Sequence, residues 1–290
     1  MARYDGAIVD AHHHLWSYDA ALLPWLAGEP ALARDVSAQD YFAAAAPLHV
    51  VASIWIEAVA TDALAEVRLA ARLNAAEPRL AAAIIAHAPL DAPDLAARLD
   101  RLAEAAPTLR GIRDIVAVRP GFPSFARYGD LLERPAFAAG LKELARRGLA
   151  FDLMLEPWQI GAALRLAVAI PDLSIIIEHA GSPDFSTEDG STLWTGAMQA
   201  AAGLANISVK ISALHCRMPG WTDAALAAPI RALVEWFGVD RLAFASDFPV
   251  HDRTVPFTRA YETFARAVAD LSPDEQRALF EGTARRLYRI

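Results

Sequence analysis

The run "IVDAHHHLW" at 8–16 sets three histidines behind two β-branched residues, the pattern of a buried strand reaching its end. Successive side chains of a strand point to opposite faces. His12 and His14 are therefore expected to share a face, with Asp10 beside them and His13 turned away. A His-x-His pair of this kind can hold one metal ion or grip a substrate from two sides. Ionisable residues recur at the ends of later apolar runs: Glu57, His87, Arg113 with Asp114, Asp152, Glu178 with His179, Lys210 and Asp247. Ionised groups are rarely buried without partners, so convergence at one mouth would supply them.

Among these, His12, His14, His179 and Asp247 make a donor set of imidazoles and a carboxylate suited to one divalent ion, zinc or manganese. Such an ion polarises a carbonyl and lowers the pKa of bound water, and Asp247 then serves as general base. The same set also works without metal, with cationic donors polarising the carbonyl. Arg113 has the forked donors that suit a substrate carboxylate or carbonyl. Trp16, Glu57, His87 and Lys210 are the candidate substrate contacts, and Lys210 has a second reading as a salt-bridge partner in the core. Asp152 is divided between the site and a pairing with Arg113 or Lys210. Glu178, preceding His179, is expected on the helix side of the sheet. His49 is expected at the far end of the barrel, His215 and His251 in loops, and Cys216 as an inert thiol without a dedicated base.

Positioning these residues requires a repeated element. Eight apolar runs alternate with segments of helical spacing across 290 residues, which describes a single (β/α)8 TIM barrel spanning 1–290. A doubly wound sheet would carry a glycine-rich turn after its first strand, and histidines stand there instead. In a barrel, active residues gather at the C-terminal ends of the strands. Helix limits are legible: Thr61 as a cap, Pro78 as a stop, and Ser272 with Glu275 as a capping box. The long stretch 16–38, and a shorter one at 182–194, are expected to cover the site. A net charge of −8 argues against nucleic acid as a partner. A single cysteine allows no internal disulfide, and no signal peptide or membrane span is evident, so a cytoplasmic location is expected.

"VDAHHHLW", "LRGIRD", "HAGSP", "VKISAL", "ASDFPV" and "TARRLY", in that order, resemble the amidohydrolase superfamily, and more narrowly its lactonase group. That group includes sugar-lactone hydrolases and 2-pyrone-4,6-dicarboxylate lactonases. The resemblance implies an amidohydrolase-type barrel that opens a sugar-derived or carboxylated lactone to the hydroxy acid. It carries the metal pair onto His12 and His14, a further site histidine onto His179, the general base onto Asp247 and an arginine onto Arg113. Glu57 falls where sugar-lactone members often have an acid. At most one ion, zinc foremost, is implied, and metal-independent turnover stays open. Ala245, Phe248 and Thr283 depart from the usual pattern without touching Asp247. The alternative from the same superfamily is a metal-dependent decarboxylase, and the third reading is a metabolite-binding barrel without turnover. The partner expected is a small-molecule lactone, with room for a homodimer.

Overall fold

The computed structural model describes residues 4–290. Eight strands run parallel and pair in chain order: β1 (Ile8–His13), β2 (Val50–Ile56), β3 (Ala83–His87), β4 (Leu109–Arg113), β5 (Ala150–Leu153), β6 (Ile175–Ile177), β7 (Ile207–Ile211) and β8 (Leu242–Phe244). Their β-branched content suits strands buried on both faces. The seam between β8 and β1 is closed by residues that follow β8: Asp247 N donates to the His12 carbonyl at 2.9 Å, and His14 N to that of Phe248 at 2.7 Å. The result is the (β/α)8 barrel expected from the alternation.

The helices form the outer ring: α1 (Ala38–Ala45), α2 (Ala63–Ala76), α3 (Leu95–Ala105), α4 (Pro135–Arg147), α5 (Ile160–Ala169), α6 (Glu188–Ala202), the single turn α7 (Leu214–Arg217), α8 (Asp223–Phe237), α9 (Phe257–Ala267), α10 (Pro273–Arg277) and α11 (Thr283–Tyr288). The core divides accordingly. Val9, Ala11, Ile54, Ile56, Ile85 and Ile176 fill the barrel interior, joined by Tyr288 from α11. A larger cluster, including Ile8, Trp55, Ile84 and Phe151, packs the strands against the helices.

Local chemistry sets the helix limits. The Ser272–Glu275 capping box forms as expected, with Ser272 Oγ accepting from Glu275 N. At α2 the cap is Asp62 and not Thr61. Asp62 accepts from Leu64 N and Ala65 N, both at 3.0 Å, while Thr61 Oγ1 donates to the Ala21 carbonyl. A carboxylate one residue nearer the helix reaches two free N–H groups and outcompetes the hydroxyl. No helix among the described residues is long and apolar enough to cross a membrane.

The alternation expected in β1 breaks once. Its register with β2 shifts between Asp10 and His13, a bulge that inserts one residue. Val9 and Ala11 face inward, yet His12 does too. Asp10 is thereby turned outward, where the Tyr41 hydroxyl donates to it at 2.9 Å, and does not share the face of His12 and His14. His13 faces outward as expected, with its ring 4.7 Å from that of Tyr41 and its Nε2 2.9 Å from Ser53 Oγ.

Candidate active site

At the C-terminal mouth, His12, His14 and Asp247 converge. The two Nε2 atoms lie 3.1 Å apart, and Asp247 Oδ1 is 3.5 Å from the first and 3.6 Å from the second. Each of the three site histidines is oriented through its other nitrogen. His14 Nδ1 is 2.8 Å from the Ile56 carbonyl, which makes that nitrogen a donor and turns Nε2 toward Asp247. His12 Nδ1 lies 3.3 Å from Glu178 Oε1, and His179 Nδ1 lies 2.9 Å from Ser212 Oγ. The His179 ring stands 4.8 Å from that of His12. Two imidazole nitrogens and a carboxylate oxygen at these separations match the edge of about 3.4 Å expected for a tetrahedron with zinc-like bond lengths. Carboxylate-backed and carbonyl-backed imidazoles are what such a site uses to orient its ligands. The residues present therefore fit one divalent ion.

Backbone strain marks the same place. Asp247 (φ 56°), His179 (φ 52°), Ala180 (φ 54°) and Ala213 (φ 55°) all occupy the left-handed region, at a cost of order 1–2 kcal/mol each for non-glycine residues. The turn at His179 also explains a correction. Ile176 faces inward, so simple alternation turns Glu178 inward, and not toward the helices as expected. His179 joins it only because the chain leaves the strand there with positive φ.

Beneath the histidines lies a buried ionic network. The Arg113 guanidinium donates to Glu57 Oε1 at 2.6 Å, to the Glu57 carbonyl at 2.5 Å and to Glu178 Oε2 at 3.0 Å. Lys210 Nζ is 2.5 Å from Asp152 Oδ2, 3.3 Å from His12 Nδ1 and 3.4 Å from Glu178 Oε1. Burial alone would raise the Glu178 pKa, but Arg113, His12 and Lys210 outweigh it and hold the carboxyl well below its ordinary range. Burial lowers the pKa values of His12 and His179 below that of free imidazole, against the pull of the neighbouring carboxylates. Asp247 is likewise opposed by burial, yet the nearby His179 ring and the His14 contact draw its pKa down, so it stays ionised.

Behind Glu57, Glu66 of α2 accepts from Ala58 N at 2.6 Å, and burial together with the Glu57 charge pushes its pKa up to about 8. A carboxyl protonated in the fold but ionised when unfolded stabilises at low pH, and that contribution is lost as pH rises from about 4.5 through 8. Glu66→Gln is therefore expected to flatten the loss of stability between pH 5 and 8, by up to a few kcal/mol. Urea unfolding of both proteins at the two pH values checks this; equal slopes would rule it out.

Above the centre opens a cavity of about 390 Å³. Its walls are apolar (Trp25, Ile115, Phe125, Met154) with four arginines: the buried Arg113 and the more exposed Arg119, Arg217 and Arg253. Arg119 is paired with Asp184 at 2.9 Å and Arg253 with Glu29. Arg217 is the loosest, meeting Glu156 only at 3.8 Å. Among the described residues, Asp247 is the one carboxylate on the wall, and no amide or hydroxyl side chain lines it.

His12 is covered by this wall, while His14, Arg113, His179 and Asp247 line it. Trp16, Glu57, His87 and Lys210 do not. Trp16 is buried behind Trp25, edge-on at 5.9 Å, with its indole N–H held by the Arg34 carbonyl. Glu57 and Lys210 are consumed by their ion pairs. His87 lines a separate groove with Thr61, Asp62, Arg98 and Arg101. His215 and His251 are buried rather than exposed in loops, with rings 5.0 Å apart. Cys216 lines the cavity, and burial pushes its thiol pKa up, away from nucleophilic use. His49 is exposed at the start of β2. Trp25 comes from the long stretch 16–38 expected to cover the site, whereas Ser212 and Arg217 went unflagged because they sit just past β7 and in a single turn, where no periodicity singles them out.

A parallel eight-stranded barrel with a histidine–carboxylate centre at its mouth is the class the fold and site define. The chain belongs to the amidohydrolase family, whose model matches residues 9–290. It is 30% identical to the uncharacterized protein y4mH of Sinorhizobium fredii, over 99% of both chains. It is 28% identical to the L-fucono-1,5-lactonase of Burkholderia ambifaria, over 97% of this chain and 95% of that one. A crystal structure of an amidohydrolase from Burkholderia multivorans with bound zinc superimposes with a TM-score of 0.86, at 26% identity, over 98% of this chain and all of that one.

Proposed function

We propose that this protein is a lactonase that opens a carboxylate-bearing lactone to its hydroxy acid. The observation that carries the choice of substrate is the cavity wall: arginines and apolar side chains around a single carboxylate. A polyhydroxylated sugar lactone would find few neutral partners there, whereas a flat anionic ring finds both apolar contact and guanidinium donors. The similarity to L-fucono-1,5-lactonase supports lactone hydrolysis and leaves the sugar-derived lactone as the competing substrate.

His12, His14, His179 and Asp247 would hold the ion, with zinc suggested by the zinc-bound relative. When bound, zinc supplies Lewis-acid polarisation of the lactone carbonyl and acidifies water. Asp247 accepts the proton of the attacking water and returns it to the ring oxygen as the acyl C–O bond breaks. Arg113 stays cationic between two carboxylates and directs its remaining N–H donors toward the substrate. Arg217, loosely paired, takes the substrate carboxylate. Glu57 and Lys210 act one layer below, fixing Arg113 and His12.

The same arginines would suit an aromatic carboxylate, which keeps the decarboxylase reading as the second one. The test is a pH-indicator assay on neutral sugar lactones and 2-pyrone-4,6-dicarboxylate, with chelator-treated and zinc-reloaded protein, beside a carbon dioxide assay. The expected result is acid release from the dicarboxylate, lost with chelator and restored by zinc. Arg217→Met is expected to raise KM for that substrate about tenfold with little change for neutral lactones. Carbon dioxide release without ring opening would overturn the lactonase reading.

A further inference from the structure

The bulge in β1 leaves a carboxylate that the reaction does not use. Asp10 is fully buried and accepts four hydrogen bonds. Ser246 N and Ser246 Oγ donate to it, each at 2.7 Å, Tyr41 Oη at 2.9 Å and Tyr261 Oη at 3.1 Å. Two of these donors belong to outer helices α1 and α9. The other two belong to the residue immediately before Asp247.

Ser246 is itself a hub. Its Oγ lies 3.2 Å from the His12 carbonyl and accepts from Phe248 N at 3.0 Å. Asp247 N in turn donates to the His12 carbonyl, and the Asp247 carbonyl accepts from His251 N at 2.9 Å. Asp247 is held at φ 56° between these contacts. A non-glycine residue keeps that conformation only where its surroundings over-determine it. Asp10 supplies the fixed point: an acceptor seated on β1, beside the histidine pair, that grips the turn carrying the carboxylate.

We propose that Asp10 is a positioning residue: through Ser246 it sets the 246–248 turn so that the Asp247 carboxylate is aimed at His12 and His14. The proposal rests on the reading of Asp247 as the reactive carboxylate. The two tyrosines anchor Asp10 to the helices and contribute to stability, whereas the Ser246 arm carries the effect on the site.

This separation makes the test selective. Asp10→Ala and Ser246→Ala are compared with Tyr41→Phe and Tyr261→Phe, each followed by melting temperature, by kcat and KM on the best lactone, and by zinc competition against a chromophoric chelator. Asp10→Ala is expected to lower kcat at least 100-fold, and Ser246→Ala about tenfold. KM should stay within threefold and zinc affinity should weaken in both. The tyrosine variants should melt earlier yet keep kcat and zinc affinity within threefold. Should Asp10→Ala fail to fold, Ser246→Ala carries the comparison. Tyrosine variants that lose as much turnover as Ser246→Ala would reduce Asp10 to a structural residue and overturn the proposal. A crystal structure of Ser246→Ala makes the result independent of activity. Displacement of the Asp247 carboxylate from His12 and His14 supports the proposal even if no lactone is turned over, and an unmoved Asp247 overturns it. A wild-type protein inactive on every lactone would instead count against the functional reading.

Discussion

Asp247→Asn is expected to lower kcat for lactone hydrolysis by about 10³-fold while the fold persists. The amide cannot take a proton from water, but the backbone bonds of residue 247 to His12 and His251 do not involve the side chain. The carboxylate is also one of the four candidate ion ligands, so bound zinc should fall as well. Steady-state kinetics, metal analysis and circular dichroism on the same preparation check the three claims together. A folded variant within threefold of wild type would remove Asp247 from the mechanism.

Arg113→Met is expected to be the most damaging change to stability. Arg113 is buried between Glu57 and Glu178, and its loss strands two carboxylates away from water. Breaking a buried pair by removing one partner costs about 3–5 kcal/mol. The contribution of Glu178 to the pH dependence should also change sign. In the wild type, the depressed Glu178 pKa contributes stability that is present above about pH 4.5 and lost as pH falls below it. Without the guanidinium, burial raises the carboxyl pKa, so stability is favoured at low pH and lost as pH rises. Urea unfolding from pH 4 to 8 separates the two behaviours. A variant that keeps the wild-type slope and loses less than about 1 kcal/mol would show that the network is replaceable.

The barrel was legible because its eight apolar runs alternate with helical periods, and a strand buried on both faces leaves a continuous apolar signature. His12, His14, His179 and Asp247 were legible because they end those runs. What stayed hidden depends on backbone irregularities that side-chain alternation does not encode. The β1 bulge moved Asp10 outward, and the left-handed turn at His179 allowed both Glu178 and His179 inward. Lys210 and Glu57 were recognisable as ionisable residues near the mouth, but only the contacts reveal that their charges are already spent on Asp152 and Arg113. The cavity wall was the least legible part. Trp25 and Arg217 come from a 3₁₀ segment and a single helical turn, and nothing in local sequence says which way they face.

The seam of the barrel has one more consequence. Residues 12–14 lie near one end of the chain and 246–248 near the other, and they meet where the last strand rejoins the first. A ligand gripping His12 and Asp247 together would act as a clasp on a ring, closing a loop of more than two hundred residues with a single bond set. Its affinity would then be felt as resistance of the whole circle to opening. Amide protons along the first and last strands would slow their exchange together when the clasp is fastened, and quicken together when it is released.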